Sequence, residues 1–500
     1  MKYQNPVLSG FYPDPSVCRV GEDYYLVNSS FAYFPGIPIW HSRDLIHWRQ
    51  IGHCLTRESQ LQLDQSGISG GVWAPCLRYN NGRFYMVTTN QDHRGHFYVW
   101  TEDPAGEWSE PVYVDQEGID PDLFFDKDGK IYFTSTGTAQ GMGLYQCEID
   151  ISTGRKLSDT RLIWTGFGGK FPEGPHLYKV NGYYYLMCAE GGTEYGHMET
   201  IARSETPHGP FESCLYNPIL SHRSSNHPIQ ATGHADLLEA HDGSWWAVFL
   251  GIRPVGYPYR HHLGRETYLA PVIWTEDGWP IIGDNGIVGT EIDTITLPPV
   301  VWEDEETDMD DFNESYLKKH WNFIRSSSKV KWSLEERLGW LALYGSESKL
   351  TGKETPAFIG RRQRHWNCDI TVRMEYHPAD GEDAGLVAFM DDKYHYAIGL
   401  TSINGILKIT LRRQIASMRV EVHSLPLQGS IVDLRIEALP EKYRFYFKEA
   451  NHDWQLLGEA ESHLISTEVA GGFTGVYFGM YNQSSTENKA YFDWFHYRKQ

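Results

Sequence analysis

Gly182-Tyr183-Tyr184-Tyr185-Leu186 is a turn glycine followed at once by aromatic and apolar residues, and it is one of five copies of the same phrase. The others are Gly21-Glu22-Asp23-Tyr24-Tyr25-Leu26, Gly82-Arg83-Phe84-Tyr85-Met86, Gly129-Lys130-Ile131-Tyr132-Phe133 and Gly243-Ser244-Trp245-Trp246-Ala247. With Tyr24, Phe84, Ile131, Tyr183 and Trp245 as markers, the intervals are 60, 47, 52 and 62 residues. Glycine permits a tight turn, and aromatic side chains suit a pleated, half-buried surface. Intervals of that size hold four short strands and their loops, the unit of a propeller blade. No stretch shows a long, capped apolar pattern of helical period, which argues against crossover helices. The reading is an all-β chain that opens with a five-bladed β-propeller over residues 1–296.

The phrase stops near residue 290. Residues 297–311 carry Pro298-Pro299 and the acidic run Glu303-Asp304-Glu305-Glu306 and read as a linker. Alternating stretches such as Asp369-Ile370-Thr371-Val372-Arg373-Met374 and Leu407-Lys408-Ile409-Thr410-Leu411 then predict a β-sandwich (jelly-roll-like) over 312–500.

Composition narrows the partners. A formal charge of −21 argues against nucleic acid and an anionic membrane surface, and it favours a neutral ligand. Seven cysteines, with no C-x-x-C pair, read as free thiols in a reducing compartment. Met1-Lys2-Tyr3-Gln4-Asn5-Pro6 leads into no apolar run, and the apolar run near Trp245 to Ile252 is too short to span a bilayer. The expectation is a cytoplasmic protein.

The chemistry precedes each marker. Counting back by 10, 10, 11, 10 and 11 residues gives Asp14, Ala74, Asp120, Glu173 and His234. The innermost strand of a propeller blade faces the central channel, so equivalent positions converge on one axis. Three carboxylates, an imidazole and the Trp73-Ala74 pair would then share one pocket. Asp-Pro and Glu-Gly-Pro are also ordinary turn formers. Three acids at one phase of a repeat argue for more than turns. Separated carboxyls are what glycosidic cleavage needs: one protonates the leaving oxygen, a second activates water or attacks the anomeric carbon. A third acid nearby holds its neighbour protonated by like-charge repulsion. Asp122, two residues after Asp120, shares its face on an extended strand, and the residues alone leave the choice between them open.

At these residues the chain resembles glycoside hydrolase family 43, in the β-xylosidase and α-L-arabinofuranosidase branch with a C-terminal sandwich. The matching stretches are Asn5-Pro6, Tyr12-Pro13-Asp14-Pro15-Ser16, Trp73-Ala74-Pro75 and Gly118-Ile119-Asp120-Pro121. They continue with Glu173-Gly174-Pro175-His176-Leu177-Tyr178, Gly233-His234-Ala235-Asp236 and Leu263-Gly264-Arg265-Glu266-Thr267. The resemblance implies an inverting, exo-acting glycosidase that releases xylose from the non-reducing ends of β-1,4-xylo-oligosaccharides and also cleaves α-L-arabinofuranosides. By motif position Asp14 is the general base, Glu173 the general acid and Asp120 the acid that tunes and orients it. The resemblance also implies that Arg265 binds sugar hydroxyls, with Trp73, Ala74, Phe31 and Thr193 around the sugar. Phe473, in Gly471-Gly472-Phe473-Thr474-Gly475, would reach in from the sandwich and seal one end of the pocket. His234 stands near the channel as a substrate contact, a structural residue or a ligand to calcium. No cofactor is required for the chemistry itself.

The implied partners are xylo-oligosaccharides and arabinose-substituted oligosaccharides, and the sequence leaves a homo-oligomer open. The rival within the family is a dedicated α-L-arabinofuranosidase. A non-catalytic glycan-binding propeller is the rival of another class, and loss of one of the three acids would favour it.

Overall fold

The computed structural model describes residues 2–293, 297, 308–450 and 452–500. The linker expected over 297–311 therefore lies outside the described residues at 298–307. Five antiparallel four-stranded sheets follow one another in chain order. Their innermost strands are Ser16–Val20, Val72–Asn80, Ile119–Phe125, Glu173–Val180 and Gln230–Glu239, taken here as blades 1 to 5. In every blade a hairpin joins the first strand to the second. The recurring glycine turns that hairpin: Gly21, Gly82, Gly129, Gly182 and Gly243 have φ of 64°, 85°, 90°, 89° and 82°. A side chain there would strain the backbone.

The aromatics of the phrase fill the wedges between blades. Tyr25 meets Phe84 edge-on at 4.9 Å, Tyr85 lies 5.0 Å from Phe125, and Tyr184 is 6.0 Å from Phe124. Tyr185 and Trp274 close the next gap at 5.3 Å. Splayed sheets leave a wide gap, and large rings bury enough surface to fill it. The ring is closed by its ends. Lys2–Gln4 pairs with Glu291–Asp293, and the Asn5 side chain donates to the Leu269 carbonyl at 2.9 Å while accepting from its N–H at 3.0 Å.

Residues beyond 308 form two packed sheets, one eight-stranded and one six-stranded. The sandwich docks on the propeller through shared backbone and shared core. Tyr33–Phe34 pairs with Phe323–Ile324, and Tyr33 stacks on Tyr477 at 3.9 Å. Phe11, Phe31 and Ile68 join Phe358, Val387 and Phe389 in one buried cluster. An apolar interface of this kind holds the two parts in fixed relation. All seven cysteines are buried and free. Among the described residues, no helix is long and apolar enough to cross a membrane.

Candidate active site

At the start of each innermost strand the backbone turns left-handed. The residues are Asp14, Ala74, Asp120, Gly174 and His234, with φ of 51°, 38°, 54°, 58° and 52°. In blades 2 to 5 the strand register shifts at this point, between Trp73 and Cys76, Ile119 and Asp122, Glu173 and His176, and Gly233 and Asp236. A bulge of this kind re-aims a side chain out of the ladder, and non-glycine residues adopt it at a cost of about 1–3 kcal/mol each. Four such residues in equivalent places are held by the surrounding fold to serve one pocket.

The fourth blade departs from the expected register. Counting back from the markers puts Glu173 in line with Asp14, Asp120 and His234, but the left-handed residue there is Gly174. The prolines agree, since Pro15, Pro75, Pro121 and Pro175 each follow the left-handed residue. Glu173 therefore sits one residue before the left-handed position that Asp14, Asp120 and His234 occupy. Glycine at 174 is required twice: by its φ, and because a Cβ would lie 2.9 Å from the His234 ring.

Asp14 is buried and fully engaged. Its carboxylate accepts from the Ser29 hydroxyl at 2.5 Å and from Arg265 Nη1 at 2.8 Å. Ser29 is itself fixed by the Ala74 N–H, which donates to its hydroxyl oxygen at 2.7 Å. Burial opposes a charge on Asp14, but Arg265 and the Ser29 hydroxyl outweigh it and hold the carboxyl below its ordinary range. Asp14 is thus a carboxylate across the neutral range.

The other two acids move the opposite way. Burial, then the charge of Asp120, pushes Glu173 up; burial, then the charge of Asp14, pushes Asp120 up. The Gly174 N–H donates to Asp120 at 3.1 Å, tying the third acid to the residue beside Glu173. One carboxylate kept ionised beside two acids raised toward neutrality, which repel each other's charge so that Glu173 holds a proton next to an ionisable Asp120, is the division of labour that acid–base cleavage requires.

One step along the strands lies a second ring. Arg78 donates to Asp236 at 2.9 Å and to Asp122 at 2.7 Å, and it meets Ser16 Oγ at 3.4 Å and His176 Nδ1 at 2.7 Å. With Arg78 itself on blade 2, one guanidinium ties all five blades. Against the penalty of burial, Arg78 and His176 hold Asp122 well below the usual range. Asp122 is therefore a structural anion, and Asp120 is the acid that faces Glu173.

This ring also bears on calcium. Calcium takes six or more oxygen ligands. His234 offers only nitrogen, and the close group of ligand-type side chains among the described residues, Cys76, Asp122 and His176, does not include it. The Arg78 guanidinium already lies against Asp122 and His176 in that group. These residues form no cage of protein oxygens for calcium, so an ion beside His234 would draw its oxygen ligands from water.

The walls come from both domains. Phe31, Trp73 and Phe473 form a box, with Phe473 5.5 Å from Trp73 and 6.3 Å from Phe31. Arg265 Nη1 donates to Thr193 Oγ1 at 3.0 Å, and its guanidinium lies 5.6 Å from the Phe473 ring centre. The Phe473 N–H donates to Ser69 Oγ at 2.9 Å. Behind it, Glu468 accepts from the His261 N–H at 2.8 Å, from Tyr195 OH at 2.9 Å and pairs with His261 Nδ1 at 2.7 Å. Contacts thus join Asp14, Arg265, Thr193, Phe31, Trp73 and Phe473, with Ala74 linked through Ser29, and Asp120 and His234 both against Gly174 beside Glu173. Sequence reasoning passed over Ser29, Arg78, His197 and Glu468, all of which stand outside the glycine-aromatic phrase that located the acids.

A five-bladed propeller that brings one ionised carboxyl together with two acids of raised pKa, beside a box of aromatics, defines a glycosidase. The comparisons give the family. Residues 3–280 match the model of glycosyl hydrolases family 43, and residues 309–498 match the beta xylosidase C-terminal concanavalin A-like domain. The chain belongs to glycosyl hydrolases family 43. It is 45% identical over 507 residues, 99% of this chain and 94% of the other, to a non-reducing end α-L-arabinofuranosidase of Bacteroides ovatus. It is 34% identical to a β-xylosidase of Bacillus subtilis, with both chains covered completely. Among solved structures, xylan β-1,4-xylosidase of Bacillus halodurans superposes with a TM-score of 0.94 at 36% identity, covering 99% of this chain and all of that one.

Proposed function

We propose that the protein is an exo-acting, inverting glycosidase that removes single pentoses from non-reducing ends: xylose from β-1,4-xylo-oligosaccharides, and arabinose from α-L-arabinofuranosides. Asp14 acts as general base on water, Glu173 as general acid on the leaving oxygen, and Asp120 holds the proton on Glu173. Arg265 and Thr193 meet the sugar hydroxyls, and the Phe31, Trp73 and Phe473 rings face its apolar surface. The observation that carries this reading is the contact of Phe473, from the sandwich, with Phe31 and Trp73 of the propeller. A pocket sealed at one end accepts a chain end and cannot thread a polymer.

A second reading, in which arabinofuranosides are the main substrate, draws support from the 45% identity to the Bacteroides ovatus enzyme. The initial rates on aryl β-D-xyloside and aryl α-L-arabinofuranoside, measured side by side, separate the two. Turnover of the first alone or in excess supports the xylosidase, excess of the second the arabinofuranosidase, and turnover of neither removes both. The anomeric form of the first sugar released tests inversion. The seven free, buried cysteines support a reducing, cytoplasmic setting.

A further inference from the structure

His197 lies at the start of the third strand of blade 4, fully buried, beside the innermost strand of blade 5. Its Nδ1 is 3.2 Å from the Ala231 carbonyl oxygen, which can only accept, so the ring proton sits on Nδ1. That leaves Nε2 with a bare lone pair. Nε2 is buried, has no hydrogen-bond partner among the described residues, and stands 3.7 Å from Glu173 Oε1. The ring cannot retreat, because Gly233 lies flush against it and a Cβ at 233 would come within 2.7 Å.

We infer that His197 is a positioning residue for the general acid: its Nε2 lone pair receives the carboxyl proton of Glu173 in a hydrogen bond between turnovers and repels the ionised form. This rests on the reading of Glu173 as general acid. A neutral carboxyl supplies the donor that the orphaned nitrogen lacks, whereas a carboxylate would set two lone pairs against each other. Catalytic hydrogen bonds are often long without substrate and tighten when it enters. Transfer of the proton to the ring is opposed by burial, which holds the imidazole down to about 3. The proton therefore stays on Glu173, shared in position but not given away. The charged and titratable groups around the pair are Asp120, Asp14 and Arg265, with His234 and Glu199 from neighbouring strands and the buried thiol of Cys188 from the second strand of blade 4. Asp120 acts on Glu173 through its charge; His197 acts through a directed lone pair.

Two variants test it in the full-length enzyme. His197→Asn keeps a donor for Ala231 but is too short to reach Glu173, and His197→Leu removes both polar contacts. The basic limb of the pH profile of kcat/KM is expected to fall by about one pH unit, the size of one lost hydrogen bond. The loss on xylobiose is expected to be roughly tenfold larger than on an aryl xyloside with a good leaving group, since only the former depends on protonation. An unmoved limb in a folded variant, or equal loss on both substrates, overturns the proposal. Should the wild type turn over neither pentoside, the proposed function fails and the kinetics say nothing of His197. The Glu173 titration, followed by carboxyl 13C resonance in wild type and His197→Asn, then decides: a lower midpoint in the variant supports the role, and an unchanged one removes it.

Discussion

Arg265 Nη1 stands 2.8 Å from the Asp14 carboxylate and 3.0 Å from the Thr193 hydroxyl. One guanidinium therefore holds the Asp14 carboxylate charged and fixes the Thr193 hydroxyl beside it. Burial alone would push Asp14 upward, and Arg265 is the largest force against it. Replacing it removes the largest influence that opposes burial.

Arg265→Met is accordingly expected to raise the pKa of Asp14 and move the acidic limb of kcat/KM to higher pH. In the wild type the base is ionised down to low pH, so the limb should lie below the ordinary carboxylate range. The variant should also lose about 100-fold or more in kcat/KM through lost sugar contacts and a neutralised base. A pH profile on aryl xyloside reads both effects; an unmoved acidic limb would separate Arg265 from the titration of Asp14.

Glu173→Gln should be inactive on xylobiose yet more stable than wild type. The Glu173 carboxyl is raised above its unfolded value of 4.5. Between those values the folded state binds more protons than the unfolded state, so its contribution to stability falls as pH rises through the window. Glutamine removes that loss. Thermal melts should show little difference near pH 4 and a gain of about 1–2 °C near pH 8. An equal gain at both pH values would assign it to something other than titration.

Asp120→Asn and Asp122→Asn should fail differently, although the residues are two apart. Asp120→Asn is expected to fold normally and to lose about 100-fold or more in kcat, because the charge that holds Glu173 protonated is gone. Asp122→Asn weakens the buried tie between Arg78 and the blades, a change that costs about 3–5 kcal/mol when one partner of such a pair is lost. Urea unfolding beside kcat per folded molecule distinguishes them. If Asp122→Asn kept wild-type stability while losing kcat, the assignments would be exchanged.

The contrast between those two aspartates shows what was legible in the sequence. The five glycine-aromatic phrases announced the blades, because a turn glycine and a wedge-filling ring are local demands that each copy meets alone. The acids followed from their phase. The one-residue offset of Glu173 did not, since it depends on which residue of Glu173-Gly174 adopts the left-handed backbone. Nor did the second ring, where Arg78, Asp122, His176 and Asp236 meet only because the propeller closes. His197 was hidden for a different reason: it comes from a third strand, and its role lies in an atom without a partner. Phe473 was visible only through the family resemblance, as nothing local in Gly471-Gly472-Phe473 points to a pocket formed by residues 31 and 73.

Phe473 is also the residue whose placement can be tested through another. Its loop is fastened to the propeller by Glu468, which binds the His261 N–H and imidazole and the Tyr195 hydroxyl. If Phe473 walls the sugar site as proposed, Phe473→Ala should raise KM on xylobiose about tenfold while kcat falls less, the pattern of lost ground-state binding. Glu468→Gln leaves the ring in place but slackens its anchor, and KM should rise about threefold. If Glu468 acts only by holding Phe473, the double variant should be no worse than Phe473→Ala, because the second change removes support for a side chain already absent. Full additivity of the two losses would mean that Glu468 shapes the pocket by another route, through Tyr195 or His261.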